Sequence, residues 1–376
     1  MNIIAGNNIK QRLASIDAFR GLTIAGMIIV LNPGSWKYVY PAFKHADWHG
    51  WTIADLVFPF FLFIVGVSIT FSLSKIKIDN LEKKEVYLKI IKRSVILFLL
   101  GIFINSFPDF NFQQFRIMGV LQRIAICYLI VSILFLNTKY ESQTIIAVSL
   151  LFIYWAIMEW VAVPGYPIGS YGKGENAANY LDRFILSGYM GYYEKLGEPE
   201  GFISTLPSLS LTLFGVLTGH FIKSKKEIKK SASMMFGIGV LLFLLGLVWD
   251  NWLPINKNLW TSSFTVLTGG LGLILFSIFY YLIDGLNYQK FAKPFVVLGM
   301  NAITVYVLSI VTAKIIKLLT FTSNGTLYHA RSWAYENILL GIFGFNGASL
   351  AYAVLYCAIW CGIMWILYYK KIFIKV

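Results

Sequence analysis

Charged side chains are scarce in this sequence of 376 residues. Asp, Glu, Lys and Arg together make up 13% of it, whereas 57% of the residues are hydrophobic. Soluble domains have about twice that fraction of charge, so this chain has too little polar surface to fold in water. The same composition excludes a disordered chain, a coiled coil, a collagen-like chain and a disulfide scaffold. We therefore predict a protein that crosses a membrane several times.

Cysteine is almost absent, since only Cys127, Cys357 and Cys361 occur. All three fall inside long apolar runs, so no disulfide framework is expected. Cys357 and Cys361 are four residues apart and share one helix face, but no His or carboxylate accompanies them. We interpret them as core residues and not as a metal site.

Long apolar runs fill most of the sequence. A helix that crosses a bilayer needs about 20 apolar residues, and these runs are continuous rather than alternating, which argues against a membrane β-barrel. We predict an all-α bundle of about ten transmembrane helices that forms one domain over residues 1–376. The predicted spans cover, approximately, residues 17–35, 52–74, 92–107, 115–136, 142–162, 203–222, 232–250, 260–283, 294–318 and 346–369.

Lys and Arg outnumber Asp and Glu by 32 to 18. In a soluble protein such an excess suggests nucleic-acid binding, but in a membrane protein Lys and Arg collect in the cytoplasmic loops. With both termini placed in the cytoplasm, 20 Lys and Arg fall in or beside the inner segments and seven in the outer segments. We therefore predict cytoplasmic termini, a lipid bilayer rather than a nucleic acid as partner, and a long outer loop over residues 163–202.

Polar residues inside a membrane are costly and tend to mark function. In the first span Asp17 and Arg20 are three residues apart, so they share a helix face and form either a structural ion pair or a ligand contact. The span ends at the helix breaker Asn32-Pro33-Gly34, which holds Asn32 near the outer end of the helix.

The segment between the first two spans is the densest polar and aromatic stretch of the sequence. It contains His45, Asp47, Trp48, His49 and Asp55. A histidine exchanges a proton near neutral pH, and a neighbouring Asp can orient it. His45, Asp47 and His49 match no standard metal-ligand spacing, so no metal is expected. An aromatic belt at the membrane surface explains Trp48, but it does not explain the carboxylates beside it.

Arg123 lies about a third of the way into the fourth predicted span, which places it inside the bilayer. Because an arginine keeps its proton, it needs either a carboxylate partner or an anionic ligand, and the sequence leaves both open. The predicted outer loop 163–202 is rich in aromatic and polar residues, as a binding surface for a sugar-like ligand would be. Asn301 places an amide at the inner end of the ninth span.

Seven short blocks, in order from about residue 12 to residue 305, resemble the heparan-alpha-glucosaminide N-acetyltransferase family. They are Ser15-Ile-Asp-Ala-Phe-Arg-Gly21, Lys44-His-Ala-Asp-Trp-His-Gly50, Ala54-Asp-Leu-Val-Phe-Pro59, Gly119-Val-Leu-Gln-Arg123, Pro199-Glu-Gly201, Asn256-Lys-Asn-Leu-Trp260 and Gly299-Met-Asn301. Within the family, the chain is similar to the bacterial transmembrane glucosamine N-acetyltransferases. This similarity implies a location in a bacterial inner membrane.

The resemblance implies transfer of an acetyl group from cytoplasmic acetyl-CoA to the amine of a glucosamine-type sugar on the outer side. The family's active histidine falls on His45, and its essential asparagine falls on Asn32. His45 then acts either as a general base, with Asn32 donating to the oxyanion, or as a covalent carrier of the acetyl group. Asp47 stands where the lysosomal pattern has Ser, and His49 where Asn is more usual. Either Asp47 or Asp55 orients His45 or binds the sugar ammonium.

From the resemblance we expect two binding regions. The expected sugar-binding residues are Asp47, Trp48, Asp55, Glu200, Asn256, Lys257 and Trp260. The expected acetyl-CoA contacts are Arg20, Arg123 and Asn301. Small residues such as Gly269, Gly270 and Gly272 can pack helices within one chain or in a homodimer. O-acylation of a cell-surface glycan and amino-sugar transport stay open as alternatives, although the sequence has no visible internal repeat of the kind that many transporters contain.

Overall fold

The computed structural model describes residues 13–79, 83–111, 116–186, 189–190, 196–225, 227–323 and 326–374. Helices make up nearly all of the regular structure in these residues, and two strands form one antiparallel hairpin. The helices are α1 (Ala14–Leu31), α2 (Ile53–Asp79), α3 (Lys83–Ser106), α4 (Val120–Asn137), α5 (Tyr140–Trp160), α6 (Ala177–Leu186), α7 (Thr205–Ser224), α8 (Ile228–Trp249), α9 (Ser262–Phe279), α10 (Gln289–Met300), α11 (Ala302–Leu318), α12 (Ala330–Trp333) and α13 (Leu340–Tyr369). The strands are β1 (Thr320–Ser323) and β2 (Thr326–His329), and π-helical turns follow α9 and α12.

The all-α membrane bundle predicted from hydropathy is confirmed. Each of the ten predicted spans overlaps a helix. Among the described residues, eight helices are long and apolar enough to cross a bilayer, or nine when the bent pair α10–α11 is counted as one span. The helix α3 is not one of these, because Lys89, Lys92 and Arg93 interrupt its apolar stretch. It begins at Lys83 rather than near residue 92, since hydropathy detects only the apolar part of a helix whose charged turns continue beyond it.

The predicted ninth span is bent by 71° between α10 and α11. Asn301 lies at the bend with φ −120° and ψ 34°, which is outside the helical region. Its Nδ2 donates to the Ile372 carbonyl at 3.4 Å, and its Oδ1 accepts from the Ile374 N–H at 2.9 Å. The Asn301 amide therefore ties the C-terminal tail to the bend.

The bundle has two different ends, which we name by their connections. At the short-loop end only a few residues join α2 to α3, α4 to α5, α7 to α8 and α9 to α10. At the long-loop end the other connections meet: Trp48 Nε1 donates to the Tyr171 carbonyl at 2.8 Å, and Gly50 N–H donates to the Ile255 carbonyl at 2.7 Å. The long-loop end corresponds to the predicted outer side, and the orientation of the chain in the membrane stays a prediction.

The described part of the connection between α5 and α7 packs onto the long-loop end, and it contains α6, a short helix that hydropathy did not indicate. A second apolar core forms beneath this connection, separate from the main core of the bundle. It includes Tyr154, Met158, Val163, Ala178 and Leu259. Trp48 and Tyr171 pack against this core, so the connection before α2 and the described part of the connection after α5 share one apolar core at the long-loop end.

Helix α2 packs closely on α7 near the middle of both helices. The contact is made at two glycines: a Cβ added to Gly66 would lie 1.9 Å from the Thr212 carbonyl oxygen, and one added to Gly215 would lie 2.0 Å from the Phe63 carbonyl oxygen. Only glycine lets the main chains of two helices approach so closely. The position of α2 therefore depends on these two residues.

We expect Gly215→Ala to destabilise the protein by about 1–3 kcal/mol, because the new methyl group meets main-chain atoms of α2 that cannot rotate away. Gly237→Ala on α8 is the matched control, since an added Cβ there has nothing within 4 Å and alanine favours a helix over glycine. Thermal unfolding in detergent micelles measures both variants. An unchanged midpoint for Gly215→Ala would contradict the close packing of α2 and α7.

Candidate active site

Asp55 and His45 form a hydrogen-bonded pair at the long-loop end. Asp55 lies in the first turn of α2 and is fully buried, whereas His45 lies in the connection before that helix. The His45 Nδ1 atom is 2.7 Å from Asp55 Oδ1, and the His45 side chain is 43% exposed. Of the two carboxylates that the sequence offered as partners of His45, the structure pairs it with Asp55. A histidine that is held by a carboxylate and also open to solvent can exchange a proton with a bound molecule.

The second oxygen of Asp55 holds the connection in place. Asp55 Oδ2 accepts the backbone N–H groups of Ala46 and Thr52 at 3.1 and 3.0 Å. Thr52 Oγ1 also donates to the Lys44 carbonyl at 2.6 Å, which closes the loop around the carboxylate. An ionised Asp55 only accepts hydrogen bonds, so His45 has its proton on Nδ1 and presents the lone pair of Nε2.

Lys257 completes a compact cluster with this pair. Its Nζ is 3.0 Å from His45 Nδ1 and 3.2 Å from His45 Nε2, and it is 3.5 Å from Asp55 Oδ1. Burial lowers the pKa of Lys257, and the carboxylates of Asp55 and Glu200 partly oppose this effect. We call His45, Asp55 and Lys257 the site triad.

The loop that bears Lys257 is fixed to the His45 loop through the main chain. Gly50 pairs with Asn256 in a parallel bridge, and Gly50 has φ +91°, a conformation that favours glycine. Asn256 Oδ1 accepts a main-chain N–H of its own turn at 2.9 Å, and its Nδ2 is 3.4 Å from His49 Nδ1. Asn256 therefore shapes the turn that presents Lys257 to His45.

A second charged cluster lies next to the site triad and is mostly buried. Arg116 donates from Nε to both carboxylate oxygens of Glu198 at 3.1 and 3.0 Å, and from Nη2 to Glu200. Burial acts to raise the pKa of Glu200, but Arg116, Arg123 and Lys257 outweigh it and hold that pKa below its usual range. Glu200 is therefore ionised at neutral pH and connects this cluster electrostatically to Lys257.

Arg123 is fully buried in the second cluster. Its Nη2 donates to the Gly201 carbonyl at 3.1 Å and to Ser204 Oγ, and its guanidinium lies 5.0 Å from the centre of the Trp260 ring. Within the described residues, Arg123 Nε and Nη1 have no hydrogen-bond partner. Trp260 is 1% exposed and packs against Phe58. These contacts fix the loops beside the site triad, and the predicted contacts of Arg123 with acetyl-CoA and of Trp260 with sugar stay predictions.

Asp182 on α6 faces the same segment, although the sequence assigned it no role. Its Oδ1 accepts the Phe202 N–H at 3.0 Å. Burial raises the pKa of Asp182 to about 7, Arg123 partly opposes this, and Glu198 adds to it. The folded protein therefore keeps a proton on Asp182 that a solvent-exposed Asp would release.

We expect this proton to make stability depend on pH. An unfolded Asp loses its proton near pH 4, and folded Asp182 loses it near pH 7, so between these values stability falls as pH rises. The slope from this one group is at most about 1.4 kcal/mol per pH unit. Asp182→Asn removes the titration, so its unfolding midpoint should fall less than that of the wild type between about pH 5 and about pH 7. If the unfolding midpoints of the wild type and of Asp182→Asn fell equally with pH, the result would contradict a buried, protonated Asp182.

Trp48 and Asp47 lie at the rim of the site. Trp48 Nε1 donates to the Tyr171 carbonyl at 2.8 Å, and Lys173 Nζ lies 5.6 Å from the centre of the Trp48 ring. Asp47 is exposed on the loop that also contains His45. Aromatic, acidic and basic groups thus stand together on an accessible surface near His45.

Three predicted site residues make their described contacts elsewhere. Asn32 is buried at the end of α1, where its Nδ2 donates to the Ile28 carbonyl at 2.8 Å. Arg20 lies toward the short-loop end and forms the predicted ion pair with Asp17, at 3.2 Å. Asn301 lies toward the same end and holds the C-terminal tail. Two of the three expected acetyl-CoA contacts are therefore near the end opposite the site triad.

The site triad combines a proton acceptor, a carboxylate that orients it and a cation. Such a set suits proton transfer from an attacking amine or hydroxyl and the stabilisation of negative charge that develops on an acyl oxygen. Among the described residues, no group of three or more His, Cys, Asp or Glu is arranged to hold a metal ion. The proton acceptor, the orienting carboxylate and the cation of the site triad together meet the chemical needs of acyl transfer.

Comparison with known proteins agrees with this chemistry. Residues 12–249, more than half of the chain, match the family model described as heparan-alpha-glucosaminide N-acetyltransferase, catalytic. The mouse heparan-alpha-glucosaminide N-acetyltransferase is 31% identical over 79% of this chain and 53% of its own length. The human protein of the same name is 30% identical over 98% of this chain and 60% of its own length. The chain thus spans between half and two thirds of the length of these relatives, and it belongs to the heparan-alpha-glucosaminide N-acetyltransferase family.

Proposed function

We propose that this chain transfers an acetyl group from acetyl-CoA to the amine of a glucosamine-type sugar. The observation on which the proposal rests is the pair of His45 and Asp55, in which a half-exposed imidazole is held 2.7 Å from a buried carboxylate. The pair lies inside the region that matches the family, and both relatives are named for acetyl transfer to a glucosaminide. An imidazole held in this way is suited to take a proton from an amine as it attacks a thioester.

In the proposed reaction the sugar amine attacks the carbonyl carbon of the acetyl thioester. A C–N bond forms, the carbonyl electron pair moves to the oxygen, and the amine proton passes to His45 Nε2. When the C–S bond breaks, the carbonyl reforms and His45 returns the proton to the CoA thiolate. Asp55 stabilises the imidazolium in between. Asn32 is proposed to donate its second amide N–H to the oxyanion, since the first is used by the Ile28 carbonyl.

We propose that the two substrates approach from opposite ends of the bundle. Acetyl-CoA is a polyanion, and we expect it at the short-loop end, near Arg20 and Asn301, where the predicted inner segments contain most of the Lys and Arg. From Arg20 to Asn32 the helix α1 rises about 18 Å, and the pantetheine arm would follow this path. The amino sugar would bind at the long-loop end against Trp48 and Asp47. In this proposal the long-loop end faces outward from a bacterial inner membrane.

The test is acetyl transfer by purified protein in proteoliposomes, with labelled acetyl-CoA and glucosamine and with the products identified by mass spectrometry. Equal amounts of N-acetylglucosamine and free CoA would support the proposal. An O-acetylated sugar would assign the chain to the O-acyltransferases, and uptake of unchanged sugar would assign it to the transporters. Enclosing acetyl-CoA on one side only tests the sidedness, because transfer to sugar on the opposite side requires a path through the bundle.

A further inference from the structure

The Lys257 ammonium stands directly beside the nitrogen of His45 that would accept a proton. Its Nζ is 3.2 Å from Nε2 and 3.5 Å from Asp55 Oδ1, and the Lys257 side chain is only 16% exposed. We propose that Lys257 is a catalytic residue whose ammonium stabilises the oxyanion that forms on the acetyl group. The inference rests on the proposed acetyl transfer, and it moves Lys257 from the expected sugar contacts into the chemistry.

The balance of charge within the site triad supports this role. In the proposed step His45 starts as the uncharged base, and the charges of the Asp55 carboxylate and the Lys257 ammonium cancel. When Nε2 takes the amine proton, an imidazolium forms 3.0–3.2 Å from the ammonium, and like charges this close repel strongly. The oxyanion forms in the same step. With the oxyanion beside Lys257, each positive group has its own negative partner, because the imidazolium faces Asp55 and the ammonium faces the oxyanion.

The hydrogen-bonding capacity of Lys257 allows this exchange of partners. An ammonium has three N–H donors, and the acceptors within its reach are Asp55 Oδ1 and the lone pair of His45 Nε2. The attacking amine must reach Nε2 to lose its proton, so it displaces the ammonium from that lone pair. The amine nitrogen is then bonded to the acetyl carbon, whose oxygen comes within reach of the freed N–H.

The surroundings of Lys257 keep its charge in place. Its loop is bound on one side by the bridge between Gly50 and Asn256, and on the other side by Trp260, which is buried beside Arg123. A charge that is fixed before the reaction stabilises a transition state better than one that must reorient. The loop therefore provides a preorganised cation at the position where negative charge would develop.

One test variant and one control variant distinguish a catalytic role of Lys257 from a role in sugar binding. Lys257→Met keeps most of the side-chain length and removes the charge. We expect its kcat for acetyl transfer to fall by about 10²–10³-fold, with the Kd for acetyl-CoA and the KM for glucosamine changed by less than about threefold. Lys37→Met is the matched control, since Lys37 is an exposed lysine of the connection between α1 and α2 that lies over Tyr38, and it should keep the wild-type kcat. An unchanged kcat for Lys257→Met, or a loss found only in the KM for glucosamine, would overturn the inference.

A pH profile adds a readout that a structural role would not move. The groups that face Lys257 are His45, Asp55, Glu200 and Arg116. Burial and Arg116 lower the pKa of Lys257, whereas the carboxylates of Asp55 and Glu200 raise it. The net result is a Lys257 pKa below its usual range. The wild-type kcat should therefore fall at alkaline pH as the ammonium loses its proton. Lys257→Arg keeps its charge and should shift this fall to higher pH. The inference would be overturned if kcat of Lys257→Arg fell at the same alkaline pH as kcat of the wild type. It would also be overturned if Lys257→Arg folded but was no more active than Lys257→Met.

Failure of the proposed function is recognised separately. If the wild type binds acetyl-CoA but transfers no acetyl group to glucosamine, the proposed function fails and this inference fails with it. If the wild type is active and Lys257→Met is equally active, only the inference fails. If Lys257→Met does not fold, as judged by size-exclusion chromatography in detergent, the pH profile of Lys257→Arg decides the question.

Discussion

The His45→Ala variant is expected to lose acetyl transfer almost completely, with kcat lowered by about 10²–10⁴-fold. The reason is that the variant has no group at Nε2 to take the amine proton and return it to the CoA thiolate. The fold should survive, because the His45 side chain is 43% exposed and its removal leaves no closed cavity. Asp55 keeps its contact with Lys257 at 3.5 Å, so its buried charge is still paired.

The measurement is the initial rate of labelled N-acetylglucosamine formation, with the unfolding midpoint and the acetyl-CoA affinity taken from the same preparations. His329→Ala is the matched control, since this exposed histidine ends β2 and lies outside the site triad. A wild-type kcat in His45→Ala would contradict its role as the base. Labelled acetyl bound covalently to the wild type but not to the variant, in the absence of sugar, would instead identify His45 as an acetyl carrier.

Asp55→Asn is expected to lower kcat by a comparable factor, because it changes which nitrogen of His45 carries the proton. The N–H groups of Ala46 and Thr52 both point at Oδ2, so the single oxygen of Asn should face them and its NH2 should face His45. Nδ1 then accepts a hydrogen bond, and the ring proton moves to Nε2, where the amine proton would have to go. We expect kcat to fall by about 10²–10⁴-fold, while the loop keeps its hydrogen bonds to the Asn oxygen.

A double variant tests whether Asp55 acts through His45. Residues that work as one unit lose activity non-additively, so His45→Ala combined with Asp55→Asn should be no slower than His45→Ala alone. The kcat values of the two single variants and the double variant, measured at saturating acetyl-CoA, give the comparison. Fully additive losses would show that Asp55 contributes to the reaction independently of His45.

The sequence indicated part of the candidate site because His45 and Asp55 are close together along the chain. His45 and Asp55 are ten residues apart, and their hydrogen bond needs only one loop and the first turn of a helix. Lys257 is 212 residues from His45, and Arg116 is 82 residues from Glu198, so no local pattern could indicate these contacts. The expected sugar-binding set did contain Lys257, through the resemblance to the family, but not its contact with the imidazole.

By itself, the sequence determined that this chain is an all-α membrane bundle with its polar residues concentrated beside the first two spans. The reason is that the bilayer requires long apolar helices, and composition and hydropathy are local properties that can be read along the chain. Only the tertiary structure decided which carboxylate is paired with His45, that Arg123 contacts the Gly201 carbonyl, Ser204 and Trp260, and that the ninth span bends at Asn301. These features depend on how distant segments pack against one another, as α2 and α7 do at Gly66 and Gly215, and such packing is not a property of any single segment.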